Sequence, residues 1–437
     1  MSYKLVCGIE THIELATKTK IFCSCTTQFG GEPNTHCCPV CTGQPGALPV
    51  LNREVIAFAV RAGLAVHCKI NNNSHMDRKN YVYPDLPKAY QISQFDEPVC
   101  VDGYVELDSG KKIRIERIHI EEDAGKLIHE DGYTYVDYNR GGVPLIEIVS
   151  MADIETPEEA KEYAEKLQLI MRNVGVSDCK MQEGSMRCDV NVSIHEPGEP
   201  WGTRTEIKNI NSLSNIVRAM ELEMERQEDI IESGEKVIQS TMRYDANSDT
   251  VYVLRSKENA DDYRYFPEPD ILRFYISPES VEEIRKSLPE LPDAKLKRYV
   301  EDMKLPENNA RLIYKYRNVT EFFDSAVKEG ASASNVLNLI YATLQTEEDK
   351  ENFEIKTTAK QMAELVKLID DKKIRANKAK EVLAEMLESG KDVSEYIKAD
   401  DLKGMSDDDL KVLCQGAIDA NPKAVEDIKN GKDKAIN

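Results

Sequence analysis

Glu10-x-His12-x-Glu14 places two carboxylates and an imidazole on one side of an extended chain, because successive strand residues alternate faces. Its other side, Leu5, Cys7, Ile9, Thr11, Ile13 and Leu15, is mostly apolar. In Arg187 to His195 the same alternation separates Cys188, Val190, Val192 and Ile194 from Arg187, Asp189, Asn191, Ser193 and His195. Arg204, Glu206 and Lys208 share a face, and His119-Ile-Glu121-Glu122-Asp123 adds an imidazole and three adjacent acids. For any one strand the plain alternative is a sheet with one wet side. Wet sides are usually Lys, Glu and Thr, whereas these carry the residues that ligate metals and orient phosphates. Carboxylates crowded on one sheet face repel each other unless cations compensate. Mg²⁺ or Mn²⁺ is the simplest compensation, since hard cations prefer carboxylate oxygen; His12 also suits Mn²⁺ or Zn²⁺.

Cys23-x-Cys25 and Cys38-Pro-Val-Cys41 supply four soft ligands for a tetrahedral structural Zn²⁺. Cys37 is an alternative to Cys38, which is preferred for its spacing, and Cys38-Pro-Val-Cys41 alone would read as a redox pair. Such a site contributes on the order of 10 kcal/mol to local folding. It would pin the segment from Phe29 to Pro49, too rich in Gly, Pro and Asn to fold alone. Cys7, Cys68, Cys100, Cys179 and Cys188 lie in apolar contexts and read as buried, inert thiols.

No P-loop, Gly-x-Gly-x-x-Gly loop or His-Glu-x-x-His is present. A bound nucleotide would therefore have its phosphates held by metals and side chains. Candidates are Arg78, Lys79, Lys88, Arg140 and Lys208. No Ser- and Gly-rich segment with a partner Lys, of the kind amidase nucleophiles use, is found either.

The elements that must position these residues are strands up to about residue 290, then helices from Asp293 onward, with Pro289 and Pro292 at the boundary. Three helices are expected within the first part. One follows Asn52; one begins with a capping box at Thr156-Pro157-Glu158-Glu159 and stops at Gly175; one runs from Ser212 to Glu232. Tyr133, Tyr135, Asp137 and Asn139 alternate with Thr134, Val136 and Tyr138, predicting another strand with a dry face.

At 437 residues, two or three domains are expected. The formal net charge of −21 argues against a broad nucleic-acid surface, so any RNA contact must be local or shared with a partner. No signal peptide and no apolar run of membrane-spanning length is seen, so no membrane partner is expected. The 11 cysteines do not read as a disulfide framework, and a reducing, cytoplasmic compartment is the expectation.

A set of long motifs in fixed order carries a resemblance. They are Cys23-x-Cys25 to Cys38-Pro-Val-Cys41 with Pro33-Asn34-Thr35 between, Arg78 to Gln91, His119 to Gly125, Asn139 to Glu147, Met186 to Asn191, Glu206 to Asn211, and Asp261 to Asp270. Together they resemble the B subunit family of the aspartyl/glutamyl-tRNA(Asn/Gln) amidotransferases, over essentially the whole chain. The resemblance implies an α+β protein: an antiparallel-sheet cradle similar to glutamine synthetase over 1–292, including the zinc knuckle 23–41. A helical tRNA-binding domain over 293–400 and a partial helical tail over 401–437 follow, the family usually continuing with more tail helix.

It implies a glutamine-hydrolysing carbon–nitrogen ligase. ATP phosphorylates the side-chain carboxylate of misacylated Glu-tRNA(Gln) or Asp-tRNA(Asn). Ammonia from an amidase A subunit, in a complex braced by a small C subunit, then displaces phosphate. By similarity, metal-binding positions are Glu10, His12, Glu121 or Glu122, Asp189 and Glu206. Lys208 and Arg140 would neutralise phosphate, and Glu147 and Asp189 would orient ammonia or accept its proton. Lys372, Lys373, Arg375 and Lys378, with Lys367 and Lys380 nearby, would contact tRNA. A zinc-stabilised RNA-binding module without catalysis would not need the acidic face. A metal-dependent hydrolase would act without ATP.

Overall fold

The computed structural model describes residues 3–256, 263–344, 353 and 356–397, and the isolated positions 411, 415, 416 and 419. It divides into two compact units, Met1–Pro292 and Asp293–Asn437. The architecture is α+β, with a sheet-based first unit and a helical second one. Most of the 401–437 tail, and Asp261 and Asp262 of the last motif, lie outside the described residues.

The first unit is built on a nine-stranded sheet in the order β14-β13-β12-β11-β1-β10-β7-β6-β2. Its central strands are β1 (Lys4–Glu14), β7 (Lys112–Glu122), β10 (Pro144–Ser150), β11 (Met186–His195) and β12 (Thr205–Ile210). β2 (Lys69–Ile70) and β6 (Cys100–Glu106) extend one edge; β13 (Ser240–Asp245) and β14 (Thr250–Ser256) extend the other. All pairings are antiparallel except β12–β13. β1 alternates strictly: Leu5, Cys7, Ile9, Thr11 and Ile13 are buried, while the intervening residues are partly exposed.

The apolar side is covered by the three expected helices, α1 (Arg53–Ala65), α2 (Pro157–Asn173) and α3 (Leu213–Glu232), in one continuous core. α1 approaches the sheet closely at Gly63, where a Cβ would come within 2.4 Å of Cys100 Sγ. Each helix has a side-chain cap at its start: Asn52 to Glu54 N, Thr156 to Glu159 N, and Ser212 to Asn215 N. The box at α2 is only half formed. Glu159 Oε2 accepts from Glu155 N and from Lys111 Nζ instead of closing back on Thr156. A fourth helix, α4 (Pro278–Ser287), lies within the part expected to be strands and contacts α1.

The strand pattern at Tyr133–Asp137 is corrected. β9 (Tyr133–Asp137) pairs only with β8 (Lys126–Glu130) in a two-stranded ribbon, and Tyr133 and Tyr135 are exposed. Its alternation reflects an isolated ribbon with no core to cover. The ribbon's far end instead receives the cysteine-rich loop. Asn34, at φ 60°, donates from its backbone N to Asp137 and from Nδ2 to Val136 O, and accepts from Tyr138 N. A small sheet of β15 (Phe266–Pro267), β4 (Asp77–Asn80) and β5 (Tyr90–Ser93) lies beside β7.

The second unit contains, among its described residues, α5 (Pro292–Lys297) at the boundary, α6 (Glu307–Tyr314), α7 (Arg317–Lys328), α8 (Ala333–Thr343), α9 (Ala359–Asp370) and α10 (Ala376–Ser389). Its core includes Phe323, Val336, Ile340, Met362, Leu365, Val366, Val382 and Met386. α9 begins with a complete capping box between Thr358 and Gln361.

Candidate metal centres on the sheet face

The polar side of the sheet owes its chemistry to cross-strand register. His12 stands opposite Glu147 in the β1–β10 pairing, and Glu147 opposite His119 in the β10–β7 pairing. Glu10 stands opposite Asp189 between β1 and β11, and Asn191 opposite Glu206 between β11 and β12. Two ligand sets result, each with its donor atoms within 4.8 Å of one another: His12, Glu121 and Glu147, and Glu10, Asp189 and Glu206.

In the first set, His12 Nε2 is 3.4 Å from Glu121 and 3.5 Å from Glu147, and His119 Nε2 is 3.2 Å from Glu147. Burial pulls His12 down, but Glu147, Glu121 and Asp189 around it win and raise it to about 9. Burial pushes Glu147 up, yet His119 and His12 hold it well below the usual carboxylate range. In the second set, Asn191 Nδ2 donates to Glu10 at 3.0 Å. Lys208 Nζ lies 2.5 Å from Asp189 and 3.0 Å from Glu206. Burial raises the Glu10 carboxyl, and Glu147 and Glu206 raise it further.

These residues fit hard divalent cations. The donors are oxygen-rich and mutually repulsive. Two buried polar atoms on the same face, Asn191 Oδ1 and His119 Nδ1, have no hydrogen-bond partner among the described residues. A cavity of about 780 Å³ opens over the face, lined by His12, Lys79, Glu121, Arg140, Arg187, Asp189, Lys208 and Arg243, among others.

Several sequence candidates fall elsewhere. Glu122 points to the opposite side of β7 from Glu121: its Oε1 accepts from Ile92 N and its Oε2 from Lys88 Nζ at 2.8 Å. It is therefore removed from the ligand sets, and Lys88 is neutralised there, beside Cys41 and Lys20. Arg78 is consumed by Glu268 (2.6 Å) and Asp270 (3.1 Å) and stacks over Tyr90. Neither cation is free for phosphate, because each meets a carboxylate from a distant segment. Lys79 does line the cavity, 4.8 Å above the Tyr263 ring. Arg140 donates to Ala124 O and Gly125 O and, with Arg187, pairs with Asp123. Gly142, at φ +82°, turns the chain from Arg140 back into β10.

Glu147, assigned to ammonia from sequence, has its carboxylate among the candidate ligand atoms of the first set. His119, Asn191 and Arg187 are legible in the sequence as face residues but not as partners. Another group, His75, Asp77 and Asp96, has no signal in the sequence. His75 bridges Asp77 (3.0 Å), Asp96 (3.2 Å) and Glu97 (3.1 Å), and Asp77 also accepts from Phe95 N, so the group fastens a turn.

The zinc reading fits. The Sγ atoms of Cys23, Cys25, Cys38 and Cys41 lie within 4.8 Å of one another, whereas Cys37 Sγ turns to Asn139 at 3.9 Å. Hydrogen bonding from Cys23, aided by the Cys38 N–H, holds Cys41 down at about 4 despite burial. The five thiols expected to be inert are all buried; burial lifts Cys68, Cys179 and Cys188 to about 12.

The face is braced from behind. Glu223 on α3, fully buried, accepts from Thr205 Oγ1 (2.7 Å), Gln227 Nε2 (2.8 Å) and the Arg226 guanidinium (2.8 and 2.7 Å). Gln227 also reaches Val192 O and Ile194 N. These bonds fix β12 against β11 next to Glu206 and Asn191. Glu223→Ala is expected to cost about 2–3 kcal/mol, because it removes a buried acceptor for Thr205, Gln227 and the partly exposed Arg226, although Thr205 and Gln227 keep Val192 O. Urea titration checks this; a loss below about 1 kcal/mol contradicts the bracing role.

A helix-backed, mostly antiparallel sheet gathers two candidate metal-ligand sets, one with a histidine and one all carboxylate, under a polar cavity, beside a four-cysteine cluster; this is the layout of a sheet-borne catalytic domain. Residues 5–282 match the family model described as the GatB/GatE catalytic domain, and residues 321–437 match the GatB domain model. Relatives named as the B subunit of aspartyl/glutamyl-tRNA(Asn/Gln) amidotransferase include one from Thermoanaerobacter pseudethanolicus, 50% identical over 446 positions covering 100% of this chain and 94% of the relative. Another, from Caldicellulosiruptor saccharolyticus, is 49% identical over 450 positions with the same coverage. A third, from Lachnoclostridium phytofermentans, is 50% identical over 444 positions covering 99% and 93%. The chain belongs to the B subunit family of the tRNA-dependent amidotransferases.

Proposed function

We propose that this chain activates the side-chain carboxylate of Glu-tRNA(Gln), Asp-tRNA(Asn) or both with ATP and amidates it with ammonia from a partner glutaminase. A carboxylate is a poor electrophile because its oxygen leaves badly. Its oxygen therefore attacks the γ-phosphorus of ATP, releasing ADP and forming an acyl phosphate. Ammonia then attacks the acyl carbon, inorganic phosphate leaves with the C–O bond electrons, and the nitrogen sheds a proton to give the amide. Phosphoryl transfer of this kind needs positioning and charge neutralisation more than covalent help. His12, Glu121 and Glu147 would hold one divalent cation; Glu10, Asp189 and Glu206 would hold a second. Bound there, Mg²⁺ or Mn²⁺ would supply charge neutralisation and orientation for the phosphates. Lys79 would add fixed positive charge, and Lys208 would do so once a cation takes Asp189 and Glu206 from it.

The observation that carries this reading is the convergence of one histidine–carboxylate set and one all-carboxylate set, drawn from five strands, on one face. The four cysteines would hold a structural Zn²⁺ apart from the chemistry. An amidase A subunit and a small C subunit would complete a cytoplasmic complex; among the described residues no helix is long and apolar enough to cross a membrane. Co-expression with candidate A and C subunits, then assay on both charged tRNAs, tests the reading. Amidation should require ATP and glutamine together. Amidation without ATP would contradict it.

We further assign the helical unit, over 293–400, to tRNA. Lys372, Lys373 and Arg375 are exposed in the α9–α10 connection, with Lys378 on the first turn of α10. Among the described residues their ion-pair partners are short-range, Asp371 for Lys373 and Glu381 for Lys378. Reversing all four charges to Glu should weaken tRNA binding and reduce the salt slope by about 1 for every phosphate no longer neutralised. A filter-binding salt titration with an unchanged slope would remove this surface from the tRNA path.

A further inference from the structure

We infer that Arg243 is a phosphate-contacting residue of the sheet-face cavity and that it takes the polyphosphate of ATP; this rests on the amidotransferase reading above. Arg243 lies on β13, in register with Lys208 of β12 in the parallel pairing. Side chains at matched positions of paired strands point to the same face. Lys208 reaches Asp189 and Glu206, so Arg243 stands one strand beyond the second ligand set.

Three arginines line the cavity: Arg140, Arg187 and Arg243. The first two share the carboxylate of Asp123. Arg243 is exposed, and among the described residues its guanidinium has no hydrogen bond or ion pair. It therefore keeps its full charge and all five donors beside a carboxylate-rich floor of Glu10, Glu121, Glu147, Asp189 and Glu206. A planar guanidinium matches two phosphate oxygens at once, which a lysine does not. A terminal polyphosphate next to the second carboxylate set carries more charge in a smaller volume than a phosphodiester of a tRNA 3′ end. The place and the charge both favour ATP.

Sequence alone gives no signal for Arg243, because Thr241-Met-Arg243-Tyr is an ordinary strand segment. Only the parallel pairing brings it beside Lys208.

The test uses the complete complex with its A and C subunits, carrying Arg243→Ala or Arg243→Lys. KM is measured for ATP at saturating aminoacyl-tRNA, and for aminoacyl-tRNA at saturating ATP. Arg243→Ala should raise KM for ATP about tenfold or more, as loss of a charged hydrogen bond does, and move KM for aminoacyl-tRNA by less than about twofold. Arg243→Lys should restore part of the ATP affinity by charge alone. Melting curves and direct calorimetric titration with MgATP separate folding from binding in both variants. An unchanged KM for ATP, or a rise confined to aminoacyl-tRNA, overturns the assignment. Absence of ATP-dependent amidation in the unsubstituted complex would instead sink the functional reading itself.

Discussion

Glu147→Gln and Asp189→Asn should each lower ATP-dependent amidation by about a thousandfold or more, because a cation bound at either set contributes several kcal/mol to phosphoryl transfer. Each change removes one negative charge and keeps the shape and hydrogen-bonding reach of the side chain. Glu147 is the acceptor shared by His12 and His119, and Asp189 is one of two acceptors for Lys208. Neither loss strands a charge. Glu121 remains 3.4 Å from His12, and Glu206 remains 3.0 Å from Lys208. Metal-free stability should fall modestly, because His119 and His12 favour the ionised Glu147, and Asp189 favours the charged Lys208, but both variants should stay folded. Quenched-flow measurement of ADP release with either aminoacyl-tRNA, alongside thermal melts, checks both halves. Full activity in both variants would remove the metal centres from the chemistry. Lost activity in a variant that no longer folds would assign the residues a structural role.

Cys41→Ser should destabilise the first unit by several kcal/mol and lower its melting temperature by about 10 °C or more, with chelators doing the same to the unsubstituted protein. Cys41 is the most buried of the four cluster thiols, and its Sγ already accepts from Cys38 N at 3.2 Å. The cluster ties the Thr19–Cys25 turn to the loop that carries Asn34 onto the β8–β9 ribbon. It also walls the cavity where Lys88 meets Glu122. Cys37→Ser is the companion variant and should leave zinc content unchanged, since its thiol faces Asn139. Zinc stoichiometry and differential scanning calorimetry decide between the two. Equal zinc loss in both variants would restore Cys37 to the ligand set.

Local features were legible in the chain. The strict alternation of β1 exposed Glu10, His12 and Glu14 as one face, and the caps at Asn52, Thr156 and Ser212 marked three helices where they form. Cys-x-Cys with Cys-x-x-Cys carried its ligand set because close spacing constrains geometry.

What a single chain does not carry is which distant strands become neighbours. Glu121 and Glu122 are adjacent in sequence, and only the pleat of β7 beside β10 sends one to His12 and the other to Lys88. Arg78 and Lys88 looked available for phosphate because their partners, Glu268 and Glu122, are remote. The register that sets Glu147 opposite His12 is likewise a property of the sheet and not of either segment alone. Tyr133–Asp137 alternates as a core strand would, but two strands alone have no core to alternate against.

The central claim is that divalent cations gather at His12–Glu121–Glu147 and at Glu10–Asp189–Glu206. Anomalous diffraction from crystals grown with Mn²⁺ and a non-hydrolysable ATP analogue tests it most directly. Peaks at both carboxylate sets, distinct from a zinc peak among the four cysteines, are the expected result. A zinc peak alone, with no manganese on the sheet face, would contradict it.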